Sequence, residues 1–161
     1  MGTCIFTGYC ISSLIFPRLA DLYGRKTIFV RAFVLHISGL ALVLFSPYQI
    51  TIYIGLFIFG LATCVTKAVG YVYGLEFIPA RKQNLPGSIL KTVDVTTPIF
   101  LALSFMYLSN NWKVYYAYGL GFSVFTWLLS FTLPESPCFL AACNRYDEAR
   151  DVINRIARIN M

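Results

Sequence analysis

In a chain with so little charge, the residues that could do chemistry are few. Asp21, Arg25 and Lys26 gather around Gly24 in the stretch PRLADLYGRK, residues 17–26. Lys67 stands inside a long apolar run that closes near Glu76, and Lys91 and Asp94 open the next run. Glu135 lies in the segment PESP, and His36 is the only histidine. Acids and bases spread in this way can form ion pairs, whose strength grows as water is withdrawn. They do not form a nucleophile–base set, a phosphate-cradling glycine loop or a ligand cluster with metal spacing. No enzyme activity, cofactor or metal site is therefore expected. Cys4, Cys10, Cys64, Cys138 and Cys143 are odd in number and show neither zinc nor redox spacing. Most lie inside apolar segments, and they read as buried small hydrophobes.

The elements that must position these charges are membrane spans. The chain has 161 residues, of which 58% are hydrophobic and 12% charged, and its mean hydropathy is +0.68. Soluble domains carry about 25% charged residues, and apolar runs near 20 residues are long enough to cross roughly 30 Å of hydrocarbon. The expected fold is all-α, with spans at residues 1–16, 27–46, 50–78, 87–108 and 114–133. Pro17 is expected to end the first span, leaving residues 17–26 as a basic loop turned at Gly24. Gly2, Gly8, Ser12 and Ser13 in the first span, and the Gly70–Gly74 pair in the third, are small residues that allow close helix approach. Pro98 is expected to kink the fourth span, and Tyr115, Tyr116 and Tyr118 form an interfacial belt on the fifth.

From Pro134 onward the composition turns polar. Residues 134–161 read as a cytoplasmic segment holding an amphipathic helix over 146–159, with apolar positions at helical spacing. Its acids Asp147 and Glu148 come first and Arg155 and Arg158 last, as the helix dipole favours. The net charge of +6 sits mostly at segment ends. That distribution suits anionic lipid headgroups and not nucleic acid. The loops around 18–26 and 81–91 and the tail hold most of the Lys and Arg, so the positive-inside rule puts them in the cytoplasm. The first span then runs inward from outside. With no basic n-region or cleavage site to mark a signal peptide, this implies a preceding helix or an atypical fragment.

Residues 17–26 resemble the major facilitator superfamily signature G-x-L-A-D-R-x-G-R-[RK], between the second and third helices of that family. Leu19, Ala20, Asp21, Gly24, Arg25 and Lys26 match; Pro17 and Leu22 depart from it. Residues 134–140, PESPCFL, resemble the P-E-S-P-R-[WY]-L that follows the sixth helix in sugar-porter and organic-ion members, with Cys138 in place of arginine and Phe139 in place of Trp or Tyr. Glu76 to Pro79 is similar to the E-x-x-P that closes the fourth helix, although the arginine usual early in that helix is absent, with Leu56 near its place.

The resemblance covers the whole chain and implies most of an amino-terminal six-helix half, without its first helix. It also implies a solute transporter working by alternating access, partnered by a second half, with a small polar or organic-ion solute. By that analogy Asp21, Gly24, Arg25 and Lys26 form a cytoplasmic gate, with Glu76 or Glu135 as the acid for Arg25. The alternative is that these charges orient the loop and bind headgroups. Lys67 lies about 13 Å along its helix from Glu76, and Asp94 about 10 Å inside the next span, so the two are expected to pair. Lys67 then either lines a cavity that attracts an anionic or polar solute or belongs to a structural pair. Lys91 is expected at the interface. His36 is either a proton site or a hydrogen-bonded packing residue. The rival function is a non-transporting structural membrane subunit, or a truncated relic, that keeps the fold.

Overall fold

The structure is a computed structural model that describes residues 1–79, 82–107 and 111–159, the last without its side chain. Arg81 of the second basic loop lies outside the described residues. Among those described, seven helices follow one another: α1 (Gly2–Tyr23), α2 (Arg25–Phe45), α3 (Gln49–Glu76), α4 (Asn84–Tyr107), α5 (Trp112–Ser130), α6 (Pro137–Ala142) and α7 (Tyr146–Ile159). Four of them, α1 to α4, are long and apolar enough to cross a membrane. At 19 residues, α5 extends over about 28 Å, but its tyrosines and glycines leave it outside that group.

Pro17, expected to end the first span, does not end the helix: α1 runs through it to Tyr23, and Gly24 alone separates α1 from α2. A proline inside a helix costs about 3 kcal/mol, yet here it sits on an exposed flank. The turn beyond it is held from the other side. Ala20, Ile28, Ala32, Val65 and Val69 form a buried cluster, with Phe16, Leu19 and Phe29 packed around it. Tertiary packing overrides the local signal, and the expected basic loop becomes two helix ends meeting at one residue.

Helices in lipid gain little from the hydrophobic effect against one another, so close contact and hydrogen bonds hold them. The bundle is built around α3, which packs on α1 and α2, while α2 also packs on α5 and α4 rests on α3. The tightest crossing pairs Gly8 of α1 with Gly60 of α3. A Cβ on Gly60 would lie 2.2 Å from the Ile5 carbonyl oxygen, and one on Gly8 2.5 Å from that of Phe57. Beside it, the fully buried Ser12 hydroxyl donates to the Leu61 carbonyl at 2.6 Å. The α2–α3 crossing uses Gly39 and Gly55 in the same way. Of the Gly70–Gly74 pair, Gly70 allows the close approach expected, since a Cβ there would lie 2.7 Å from the Phe29 ring of α2, whereas Gly74 has nothing within 4 Å.

After α5 the chain makes a short helix that the sequence reading did not anticipate. Ser136 caps α6 by accepting from the Phe139 N–H at 3.2 Å, and Pro137 takes the first helical position, where a missing N–H costs nothing. Asn144 then adopts φ 60° and ends α6, while the Arg145 N–H returns to the Leu140 carbonyl at 2.9 Å. Arg145 also clasps Glu148 with two hydrogen bonds, of 2.8 and 2.6 Å, in the first turn of α7. That helix occupies the expected residues and leans its apolar side toward α6.

Candidate functional site

The residues of the signature stretch meet the ends of three other elements at one place. Arg25, first residue of α2, lies between two acids. Its Nη2 is 3.1 Å from Asp21 Oδ1 one turn back, and its Nε is 2.9 Å from Glu76 Oε1 at the end of α3. The latter approach is ionic and not a directed hydrogen bond. The Arg25 and Glu76 side chains are 22% and 12% exposed, whereas Asp21 is 63% exposed. The Glu76 pair is thus sheltered from solvent screening, and the Asp21 contact is largely open to it. Of the two acids open to Arg25 in the sequence, the structure selects Glu76.

Glu135 does something else. Its Oε1 accepts from the Lys26 backbone N–H at 2.9 Å and from the Ser136 N–H at 3.2 Å. A carboxylate therefore sits at the α2 amino terminus, where unsatisfied N–H groups and the helix dipole favour an anion. Lys26 reciprocates through its side chain. Its Nζ donates to the Phe131 carbonyl at 3.2 Å and to that of Leu133, placing a cation at the carboxyl end of α5. Ser136 donates its hydroxyl to Glu76 Oε2, and the Tyr73 hydroxyl donates to the Pro134 carbonyl. The result is one network joining the ends of α1, α2, α3 and α5 and the start of α6.

Gly24 is the pivot of this network. Its φ is +98° with ψ 143°, a backbone region that side-chain-bearing residues rarely adopt. A Cβ there would lie 3.1 Å from Glu135 Oε2 and 3.2 Å from Phe139 Cε1. Glycine is required twice over, by conformation and by space.

Ser136, Tyr73 and the α5 carbonyls are members the sequence reading missed. The serine had a legible signal, since Ser before Pro at a helix start is a capping pattern. The tyrosine and the carbonyls had none, because only the fold brings them within reach.

The second set of charges forms a separate site. Lys67 Nζ lies 2.6 Å from Asp94 Oδ1, joining α3 to α4 as their depths suggested. Both side chains are more than half exposed, at 53% and 57%. Lys91 lies on the same stretch of α4 as Asp94. Because α4 begins at Asn84, Lys91 lies about 10 Å along it, and its Nζ sits 5.7 Å from the centre of the Tyr71 ring. His36 belongs to neither set. It packs between the Phe33 and Phe59 rings, at centroid distances of 6.2 and 4.8 Å. The hydrogen bond expected of a packing histidine is missing at its buried Nδ1.

Comparisons with known proteins extend along the whole chain. The family model for sugar (and other) transporters matches residues 2–160. Solute carrier family 22 member 2 of Rattus norvegicus is 28% identical over 155 residues, covering 95% of this chain and 27% of that protein. The D-xylose transporter of Levilactobacillus brevis is 28% identical over 156 residues, covering 94% and 34% respectively. Among solved structures, a partially occluded inward-open conformation of the xylose transporter XylE from E. coli aligns at TM-score 0.78 and 18% identity, over 96% of this chain and 42% of that one. That likeness is one of fold. The chain spans 27% and 34% of the two curated relatives. Helix order, junction and family match agree, and the chain belongs to the sugar (and other) transporter family, with the all-α fold of major facilitator transporters.

Proposed function

We propose that this chain acts as part of a transmembrane solute transporter that works by alternating access, with the Arg25 network as a latch on its cytoplasmic side. The single observation that carries the reading is the sheltered Arg25–Glu76 pair, tied through Ser136 and Glu135 to the start of α2. Alternating access requires two packings close in free energy. A set of charge-assisted contacts between helix ends can bias one of them by a few kcal/mol, since hydrogen bonds to charged groups contribute about 1.5–3 kcal/mol each. Asp21 remains mostly exposed beside this network, free to meet a second half of the transporter from outside the bundle.

In this reading the helix ends bearing Arg18, Arg25 and Lys26, and the segment after Pro134, face the cytoplasm, because basic residues concentrate there. Apolar side chains over the outer faces, among them Leu14, Phe100, Phe122 and Phe125, meet lipid. The names of the relatives point to sugars and organic cations as solute classes. Uptake by the full-length protein in proteoliposomes, offered labelled D-xylose, organic cations and organic anions, tests the proposal. Saturable uptake of one class that falls at least tenfold in Arg25→Gln supports it. A folded protein that moves none of them refutes it and favours the structural membrane subunit.

A further inference from the structure

The hairpin of α1 and α2 leaves two of its cations unused. It carries Arg18, Arg25, Lys26 and Arg31 against a single acid, Asp21. Arg25 is held by Asp21 and Glu76, and Lys26 by the carbonyls at the end of α5. Arg18 and Arg31 are exposed, and among the described residues neither has an ion pair, a hydrogen bond or a ring contact. An arginine in water needs no such partner. These two lie inside helices long and apolar enough to cross a membrane, where an unpaired charge is costly.

Their surroundings are apolar. On α1, Leu14, Ile15 and Leu22 share the face of Arg18 at spacings of three and four residues, and all three are exposed. On α2, Val34 and Leu35 stand in the same relation to Arg31 and are exposed as well. Each arginine thus stands in an apolar face turned out of the bundle, the kind of face that lipid covers. Their depths also agree. Arg18 is five residues before the end of α1 and Arg31 six after the start of α2, about 8 and 9 Å from the Gly24 junction. The headgroup layer is roughly 5–8 Å thick on each side of the hydrocarbon. At these depths a guanidinium on its flexible stem reaches the level of the lipid phosphates.

We propose that Arg18 and Arg31 form a binding site for one phospholipid of net negative charge, in the leaflet on the Gly24 side. Its phosphate accepts from both guanidinium groups, whose N–H forks match phosphate oxygens. Its acyl chains run along the two exposed apolar faces. Charge selects the lipid: two cations with no acid left to them are neutralised by a phosphatidylglycerol headgroup, whereas phosphatidylcholine brings a cation of its own. The site is separate from the Arg25 network, and lipid binding is measured without transport.

The test uses the full-length protein in nanodiscs of equal parts phosphatidylcholine and phosphatidylglycerol, with native mass spectrometry counting the lipid that stays bound on release. One phosphatidylglycerol should be retained in preference to phosphatidylcholine by about tenfold or more. Arg18→Gln and Arg31→Gln should each lower that preference about fivefold, and the double variant should bring it to parity. Arg155→Gln/Arg158→Gln, which removes the same charge from α7, should leave it unchanged. Parity in the wild type overturns the proposal, as does an undiminished preference in a folded double variant. Loss of the preference in the α7 variant would mark a general charge effect and overturn it too. Should the double variant fail to fold, the two single variants decide by the same criterion. Glycerol phosphate added in excess should leave the bound lipid in place; its displacement would assign the site to a soluble phosphate and overturn the lipid.

Discussion

Replacing Gly24 by alanine probes the junction at its narrowest point. The backbone there, at φ +98° and ψ 143°, costs a residue with a side chain about 1–3 kcal/mol. The new Cβ would also stand 3.1 Å from Glu135 Oε2 and 3.2 Å from Phe139 Cε1. The carboxylate must then give way by a few tenths of an ångström, away from the Lys26 N–H that it accepts from at 2.9 Å. That bond, being charge-assisted, is worth about 1.5–3 kcal/mol, of which a displacement forfeits part. Alanine returns about 0.4–1 kcal/mol by narrowing the unfolded ensemble. The net expectation is a loss of about 1–4 kcal/mol. Equilibrium unfolding of the purified full-length protein in mixed micelles, titrated with sodium dodecyl sulfate and followed by circular dichroism, reads this directly. The same titration on Glu135→Ala and on the double variant separates the two causes. Without the Glu135 side chain, the cost of Gly24→Ala should shrink toward backbone strain alone. A Gly24→Ala protein that unfolds with the wild type would refute the reasoning. An unchanged cost in the Glu135→Ala background would refute the steric half of it.

Other perturbations reach the remaining contacts. Arg25→Gln strands Glu76, whose side chain is 12% exposed; breaking a buried pair this way costs about 3–5 kcal/mol, and with Ser136 still bonded the low end is expected. Adding Glu76→Gln should recover part of the stability in the same unfolding assay, and no recovery would count against the pair. Gly60→Ala drives a Cβ to 2.2 Å from the Ile5 carbonyl oxygen, so α1 must back away and the thermal midpoint should drop sharply. Gly74→Ala, with nothing within 4 Å, should instead be neutral or stabilise by up to about 1 kcal/mol. Lys67→Met leaves Asp94 without its 2.6 Å partner and should lower the yield of folded protein in membranes; the Lys67→Met/Asp94→Leu double variant should restore it, as quantified by fluorescence-detected size exclusion.

Much of this molecule is legible in its sequence. Long apolar runs bounded by charge dictate helices, since lipid leaves backbone groups no other partner. Charges at matched depths on neighbouring spans implied the Lys67–Asp94 contact, because an intramembrane charge favours a partner. The composition change at Pro134 and the spacing of Val152, Ile153 and Ile156 marked α7. Tertiary structure decided what local propensity could not. Pro17 reads as a helix end, yet packing of Ala20 and Leu19 against α2 and α3 carries α1 past it. Among several glycines of equal appearance, only the crossing geometry singles out Gly8 and Gly60 as the tightest contact, with Gly39 and Gly55 next. Arg25 had two acids to choose from, and the meeting of the α2 start with the α3 end gave it Glu76. That freed Glu135 to cap α2 and Lys26 to cap α5. Those partners lie about a hundred residues apart in the chain, at helix ends whose dipoles only become neighbours once the bundle has closed.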